Sequence, residues 1–170
     1  MVLIKQEEQM SYPAITVANE LIKLSLSEEI PVTPMKLQKM LYLANGISYK
    51  RKGKKLIDER FEAWDYGPVV ENVYHEFKEY RGDPIPGPKN VPVFKEGGSV
   101  VNSSAINVND EDLQLIREAW DNAKNLDGLT LSKWSHNQNS PWDKAFHSQP
   151  KSVYIADQDI RQYFENFIKD

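Results

Sequence analysis

The residues of this sequence that could do chemistry are few, and their spacing does not suit a metal site. Histidine occurs only at His75, His136 and His147, and neither an HxxxH nor an HxxE arrangement surrounds any of them. Cysteine is absent, which removes thiolate metal ligands, disulfides and a thiol nucleophile. We therefore predict no metal site and no cofactor.

Serine and carboxylate catalysis find no better support. Ser135 and His136 are neighbours, but adjacent residues of a helix point about 100° apart, so adjacency does not predict a hydrogen-bonded pair. Close carboxylates such as Glu62 and Asp65 are more simply solvated charges in a chain with 25 acidic residues. No GxSxG elbow is present, and the one pair of adjacent glycines lacks the spacing of a phosphate-binding loop. We predict that the chain is not an enzyme.

The four tryptophans, Trp64, Trp120, Trp134 and Trp142, are the remaining residues that could make a site. Core packing is the default for such large apolar side chains, each with one N–H to satisfy. A partly exposed tryptophan would instead anchor a protein partner, because interface hot spots favour Trp, Tyr and Arg. The sequence leaves both interpretations open.

The composition bounds the class of protein. The 170 residues include 21 lysines and arginines against 25 acids, a net charge of −4, which argues against a surface that tracks nucleic acid. No apolar run approaches the roughly 20 residues that a membrane span needs. The apolar stretch in MVLIKQEEQM is too short for a secretory signal. We expect a cytoplasmic protein without a membrane partner.

The run KRKGKK at 50–55 is a local exception, with five cations in six positions. It falls at the end of a predicted helix, where cations complement the carbonyl dipole. A nucleic-acid or anion contact is the alternative, although no aromatic residues interleave the cations for base stacking. The role of the run stays open.

Helical periodicity dominates the elements that would position these residues. A first helix begins at Pro13 and stops before Pro31, and a second is capped by Thr33 with Pro34 at its first position. The second helix carries the clearest buried stripe, so we expect it to be central. The stripe consists of Leu37, Met40, Leu41, Ala44 and Ile47.

In the segment that follows, the spacing of the apolar residues changes from a helical period to a period near two. Residues 61–66 alternate as in a short strand, which ends at Gly67, and we expect Pro68 to start a helix. Trp64 and Tyr66 should pack where this corner meets the central helix. The core-facing residues of the new helix would be Val70, Val73, Tyr74 and Phe77.

The second half of the chain begins with a loop rich in proline and glycine at 81–98, with a short edge strand at 91–94. A linker between two domains is the alternative, although neither side looks large enough to dominate alone. A further helix should start at Asn109 or Asp110 and end at Gly128. Two short helices should follow it, one from Leu129 and one from Pro141. Residues 152–155 are a candidate strand, and Asp157 should cap the last helix. We predict a mainly α fold: a compact bundle of about six helices with a small β-hairpin or short sheet.

Two sequence blocks resemble a known family. The first comprises LQKMLYL at 37–43, EAW at 62–64, YGPV at 66–69 and Tyr74; the second and weaker is LSKWSHNQNSPWDKAF at 131–146. They resemble the signature of the Panacea domain, the family that includes SocA-like antitoxins and phage-associated GepA-like proteins. The match spans roughly 16–146. Residues 1–12 precede the helical pattern and are predicted to be a lead-in, with a single Panacea-like helical domain at 13–170. Some relatives carry a helix-turn-helix in front; this sequence shows none, so operator binding is not part of the expectation.

The resemblance also implies a function without catalytic residues. It implies an antitoxin-like module that neutralises a cognate toxin by direct binding, with an adaptor role toward an ATP-dependent protease in the SocA-like branch. The candidate partner-binding residues are Trp64, Tyr66, His136 and Trp142. The alternative is a small-ligand-binding protein or an enzyme with a pocket near Trp64 and His136. Neither the identity of the toxin nor the oligomeric state follows from the sequence.

Overall fold

A computed structural model describes residues 11–167, so most of the predicted lead-in and residues 168–170 lie outside that range. The described residues form seven α-helices and two small antiparallel sheets, which confirms the predicted mainly α class. The helices are α1 (Ala14–Glu28), α2 (Pro34–Lys52), α3 (Glu71–Phe77), α4 (Asp110–Ala123), α5 (Gly128–Ser135), α6 (Pro141–Phe146) and α7 (Asp157–Phe167). The strands are β1 (Glu62–Trp64), β2 (Gly67–Val69), β3 (Pro92–Phe94) and β4 (Val100–Asn102).

Helix α2 is the centre of the fold, as predicted. The Thr33 hydroxyl accepts a hydrogen bond from the Lys36 N–H at 3.3 Å, and Pro34 occupies the first turn, where no partner for its nitrogen is needed. Gly53 ends the helix in the left-handed conformation at φ 69°. Every residue from 36 to 49 is buried, because α1, α4, α5 and α7 all pack against this helix. The buried surface is therefore a full circumference, wider than the predicted stripe.

Close packing of α7 on α2 depends on a glycine. The ring of the fully buried Phe164 lies over Gly46, and a Cβ at that position would come within 2.4 Å of three ring atoms. The same ring makes an edge contact with Tyr42, with centroids 5.4 Å apart, and Tyr42 also meets Phe61 and Trp134. An aromatic cluster thus joins the central helix to the last one.

Polar side chains on α2 hold the segment that follows the helix. The Asn45 side-chain oxygen accepts hydrogen bonds from the backbone N–H groups of Leu56 and Ile57, at 2.8 and 3.1 Å. The Ser48 hydroxyl donates to the Lys54 carbonyl at 2.7 Å. Buried polar groups need such partners, so these two residues fix the course of the chain after α2.

The basic run at 50–55 contacts helix α4. Lys52 donates to the buried carboxylate of Asp112 at 2.8 Å, and Arg51 pairs with Glu118, also at 2.8 Å. The second Asp112 oxygen accepts from the Tyr12 hydroxyl at 2.8 Å. Two of the five cations therefore hold α2 and α4 together, a role beyond the predicted complement to the helix dipole.

The expected helix start at Pro68 is wrong. Residues 62–69 form a hairpin in which Ala63 pairs with Pro68, and α3 begins only at Glu71. A proline at the start of a helix and a proline in a short edge strand give the same local signal, since neither position needs an N–H donor. Tyr74 is also 36% exposed and lies outside the core.

The candidate strand at 152–155 lies beside β1. The Ala63 N–H donates to the Val153 carbonyl at 2.7 Å, and the Ile155 N–H donates to the Phe61 carbonyl at 2.9 Å. Only a single bridge, between Glu62 and Tyr154, is formed. The segment therefore pairs with β1 but forms an isolated bridge in place of the predicted strand. The predicted edge strand at 91–94 pairs instead in a separate hairpin, β3 with β4.

Two predicted helix ends are displaced. Helix α4 does begin after Asn109, whose side chain accepts from the Asp112 N–H, but it ends at Ala123. Gly128 begins α5 rather than closing α4, because the Asp127 carboxylate caps that helix. Asp157, which was expected to precede α7, is its first residue.

Replacing Gly46 by alanine should destabilise the protein by about 1–3 kcal/mol, because overpacking against Phe164 outweighs a helix-propensity gain of about 1 kcal/mol. Urea unfolding measures the change. The Phe164→Leu change should relieve the clash, so the double variant should cost less than the sum of the single changes. An alanine variant as stable as the parent would contradict the close contact.

Candidate functional site

The four residues selected from the sequence meet at the β1–β2 hairpin. Trp64 is the last residue of β1, and Tyr66 lies in the two-residue turn that follows it. The Trp142 indole N–H donates to the Trp64 carbonyl at 2.6 Å, and the His136 ring stacks on Trp142 with centroids 3.7 Å apart and planes 14° apart. The fold thus brings together residues that are seventy or more positions apart in sequence.

These four residues nevertheless differ in their access to a partner. Tyr66 is 62% exposed and Trp64 is half-buried, whereas Trp142 is only 5% exposed. His136 is half-buried, and its Nε2 atom has no hydrogen-bond partner among the described residues. Burial lowers the pKa of the His136 imidazole, and the nearby Lys39 charge lowers it further. His136 and Trp142 therefore support the hairpin from behind, while Trp64 and Tyr66 face outward.

A cavity of about 560 Å³ opens beside the hairpin, between it, the start of α2 and the end of α3. Three aromatic residues, Trp64, Tyr66 and Tyr74, line it. The Trp64 and Tyr74 rings are in edge-to-face contact, with their centroids 4.8 Å apart. Neither His136 nor Trp142 is among the lining residues. We refer to this space as the hairpin cavity.

Lys39 lines the hairpin cavity and was not predicted as a site residue. The side chain extends from α2 and donates to the Pro68 carbonyl at 3.0 Å, and the residue is 1% exposed. Burial lowers the pKa of the Lys39 ammonium to about 7. No local pattern marks this position, because a lysine on an apolar helix ordinarily extends its charged end to water.

The hairpin is fixed to α2 and α5 by side chains that bond its backbone. Gln38 makes a reciprocal pair with Val70, accepting from its N–H at 2.8 Å and donating to its carbonyl at 3.3 Å. The Ser132 hydroxyl donates to the Tyr66 carbonyl at 2.7 Å. With the Lys39 bond to Pro68, these contacts hold the turn on both sides, so the exposed Tyr66 ring stands on a constrained backbone.

Gly67 permits this close approach. Its φ of 111° is a conformation that L side chains rarely adopt, and a Cβ here would lie 2.5 Å from the Ser135 hydroxyl and 2.9 Å from Lys39 Cε. The glycine thus serves both the turn and the packing of α2 and α5 around it.

Residues 11–167 contain no group of three or more His, Asp or Glu side chains arranged to hold a metal ion. No helix in that range is long and apolar enough to cross a membrane.

Comparisons with known proteins identify relatives. A family model described as antitoxin SocA-like, Panacea domain, matches residues 37–143, more than half of the chain. Antitoxin SocA of Caulobacter vibrioides (strain NA1000 / CB15N) is 39% identical over 71 residues. That alignment covers 42% of this chain and 38% of the relative, so the chain spans well under half the length of the curated relative it matches. No solved structure matches significantly.

Replacing Gly67 by alanine should lower the free energy of unfolding by about 2–4 kcal/mol, from the positive φ and the two close contacts together. Chemical denaturation measures the loss. Gly82→Ala is the matched control: a Cβ there meets no heavy atom within 4 Å, so its stability should stay within about 0.5 kcal/mol of the parent. Equal effects at the two positions would contradict the constraint at Gly67.

The buried Lys39 should make stability depend on pH. Because its pKa is about 7 in the folded protein and about 10.4 unfolded, the unfolded chain binds more protons between these values, and stability rises with pH. From pH 7 to pH 9 the free energy of unfolding should increase by about 2 kcal/mol relative to Lys39→Met. Urea titrations of both proteins at the two pH values measure this; parallel pH profiles would contradict it.

Proposed function

Because the chain belongs to the SocA-like antitoxin family defined by the Panacea domain, we propose that it is an antitoxin that neutralises a cognate toxin protein by binding it directly. The family match over residues 37–143 is the observation that carries this proposal. The Panacea resemblance predicted from the two sequence blocks is thereby confirmed, and the matched region contains most of α2 and the whole β1–β2 hairpin. The function is stoichiometric and needs no catalytic residue.

The hairpin is the surface on which we place the toxin. Tyr66 is a large exposed side chain on a backbone held from both α2 and α5, so little conformational freedom is lost when a partner covers it. Trp64 adds a half-buried indole next to it. Aromatic residues on rigid supports are typical of interface hot spots. In this proposal His136 and Trp142 position the hairpin rather than contact the toxin.

A second step extends the proposal. As the family resemblance implies, the complex would present the toxin to an ATP-dependent protease in the cytoplasm, leaving the antitoxin to act again. The toxin would be encoded beside this chain, in a bacterial, phage or mobile-element setting. Degradation is separable from binding, because covering the toxin would itself block its activity.

The small-molecule alternative has one observation in its favour, the hairpin cavity. Its volume of about 560 Å³ lies within the range of ligand pockets. His136, the residue most suited to acid–base chemistry, does not line the cavity and stacks against Trp142 instead. The geometry therefore favours a binding role for the cavity over a catalytic one.

Co-expression tests the proposed function. The adjacent open reading frame, expressed alone in a bacterial host, should arrest growth, and co-expression of this chain should restore growth and yield a complex. Tyr66→Ala should weaken the complex at least about tenfold, as expected for a hot spot. Phe94→Ala is the matched control, since Phe94 is a 78% exposed aromatic residue on the other hairpin. A harmless neighbour that forms no complex would contradict the proposal.

A further inference from the structure

We propose that the hairpin cavity is a carboxylate-binding site, which receives an acidic side chain of the bound partner between Lys39 and two cations at its rim. The inference rests on the proposed function, because the partner is the toxin. It adds the chemistry by which that partner is recognised: a glutamate or aspartate next to an apolar residue.

The charges that line the cavity are the first argument. Lys39, Lys78 and Arg81 line it against a single acid, Asp65, although the chain as a whole carries a net charge of −4. None of the three cations forms an ion pair with a carboxylate of residues 11–167. A cationic cavity in an acidic protein favours an anionic ligand.

The position of Lys39 supplies the second argument. An ammonium group has three N–H donors, and the described residues give this one a single acceptor, the Pro68 carbonyl at 3.0 Å. Burying a charge in this way is costly unless it is paired and hydrogen-bonded. A carboxylate entering the cavity would satisfy the remaining donors with charge-assisted hydrogen bonds. The protein therefore holds half of an ion pair in place before the ligand arrives.

The walls define what accompanies the carboxylate. Trp64, Tyr66 and Tyr74 present aromatic surface, and the cavity is larger than one carboxylate requires. An apolar side chain beside the acid would fill that space and contact the rings. The exposed Tyr66, Lys78 and Arg81 leave one side open, so the peptide chain can continue across the surface. This favours a segment of a protein over a small free acid.

Proton uptake is a consequence that a merely structural lysine would not show. Burial lowers the pKa of Lys39 to about 7, and a carboxylate beside it would raise that pKa again, so binding above pH 7 draws a proton from solution. The other charged groups around it are Asp65 on the turn, Lys78 and Arg81 after α3, and His136 at the end of α5. The affinity for the ligand should therefore fall from pH 7 to pH 9.

Peptide binding to the intact protein tests the site directly. The probes are acetylated, amidated Phe-Glu and its uncharged match Phe-Gln, followed by the NMR signal of the Trp64 indole N–H, which Trp64→Phe identifies. Phe-Glu should bind saturably at millimolar concentrations, as expected for so small a ligand, and Phe-Gln at least about tenfold more weakly. The Phe-Glu affinity should fall from pH 7 to pH 9.

Two lysines on the same helix provide the matched variants. Lys39→Gln keeps a donor for the Pro68 carbonyl and should abolish the preference for Phe-Glu. Lys36→Gln is the control, because Lys36 is also buried on α2 and bonds a single carbonyl, that of Lys124, but does not line the cavity. If Lys39→Gln does not fold, the exposed Lys78→Gln and Arg81→Gln pair should still weaken Phe-Glu binding several-fold.

The outcomes that overturn the proposal are distinct from failure of the antitoxin function. Equal binding of the two peptides, no saturable binding up to about 20 mM, or unchanged binding to Lys39→Gln would each overturn it. If free 3-phenylpropionate binds more tightly than the peptide, the site takes a small free acid and the proposal of a protein segment is overturned. A toxin that binds Lys39→Gln as tightly as the parent would overturn the carboxylate site and leave the antitoxin function intact. The peptide-binding experiment needs no toxin, so its result does not depend on the antitoxin function.

Discussion

The burial of helix α2 from residue 36 to residue 49 is the constraint on which the rest of the structure depends. Polar side chains in this buried stretch lose their contact with water, so hydrogen bonds to surrounding segments stabilise them. Lys36, Lys39 and Ser48 donate to carbonyls outside the helix, and Gln38 and Asn45 bond backbone groups of the chain after it. The core helix thus places the neighbouring turns directly, through hydrogen bonds to their backbone.

The central helix could be predicted from the sequence because its signals are local. Thr33 and Pro34 act within one turn, and the apolar period extends over the helix itself. The β1–β2 hairpin could not be predicted in the same way. Pro68 suits a helix start as well as a short strand, and the choice is made by Gln38 and Lys39, some thirty positions earlier in the chain. Such contacts leave no trace in the local pattern.

The candidate site, too, could be predicted from the sequence only in part. Residue type alone selected Trp64 and Tyr66, and the structure places both at the hairpin cavity. Trp142 was selected on the same grounds but is enclosed beneath the hairpin. Lys39 was missed because its importance comes from burial, and the sequence does not show which face of a helix will be covered by a hairpin. Residue type therefore identified two of the three aromatic wall residues, but neither Tyr74 nor the charge between them.

The contact between Gly46 and Phe164 has a consequence for the order of events during synthesis. It joins residues more than a hundred positions apart, one in the central helix and one in α7. On the ribosome, α2 emerges long before α7, so the face of α2 at Gly46 stays uncovered until nearly the whole described chain has been made. Contacts of such long sequence separation also form slowly. The nascent chain therefore exposes part of its central helix to chaperones and proteases throughout elongation, and it is protected only when α7 docks.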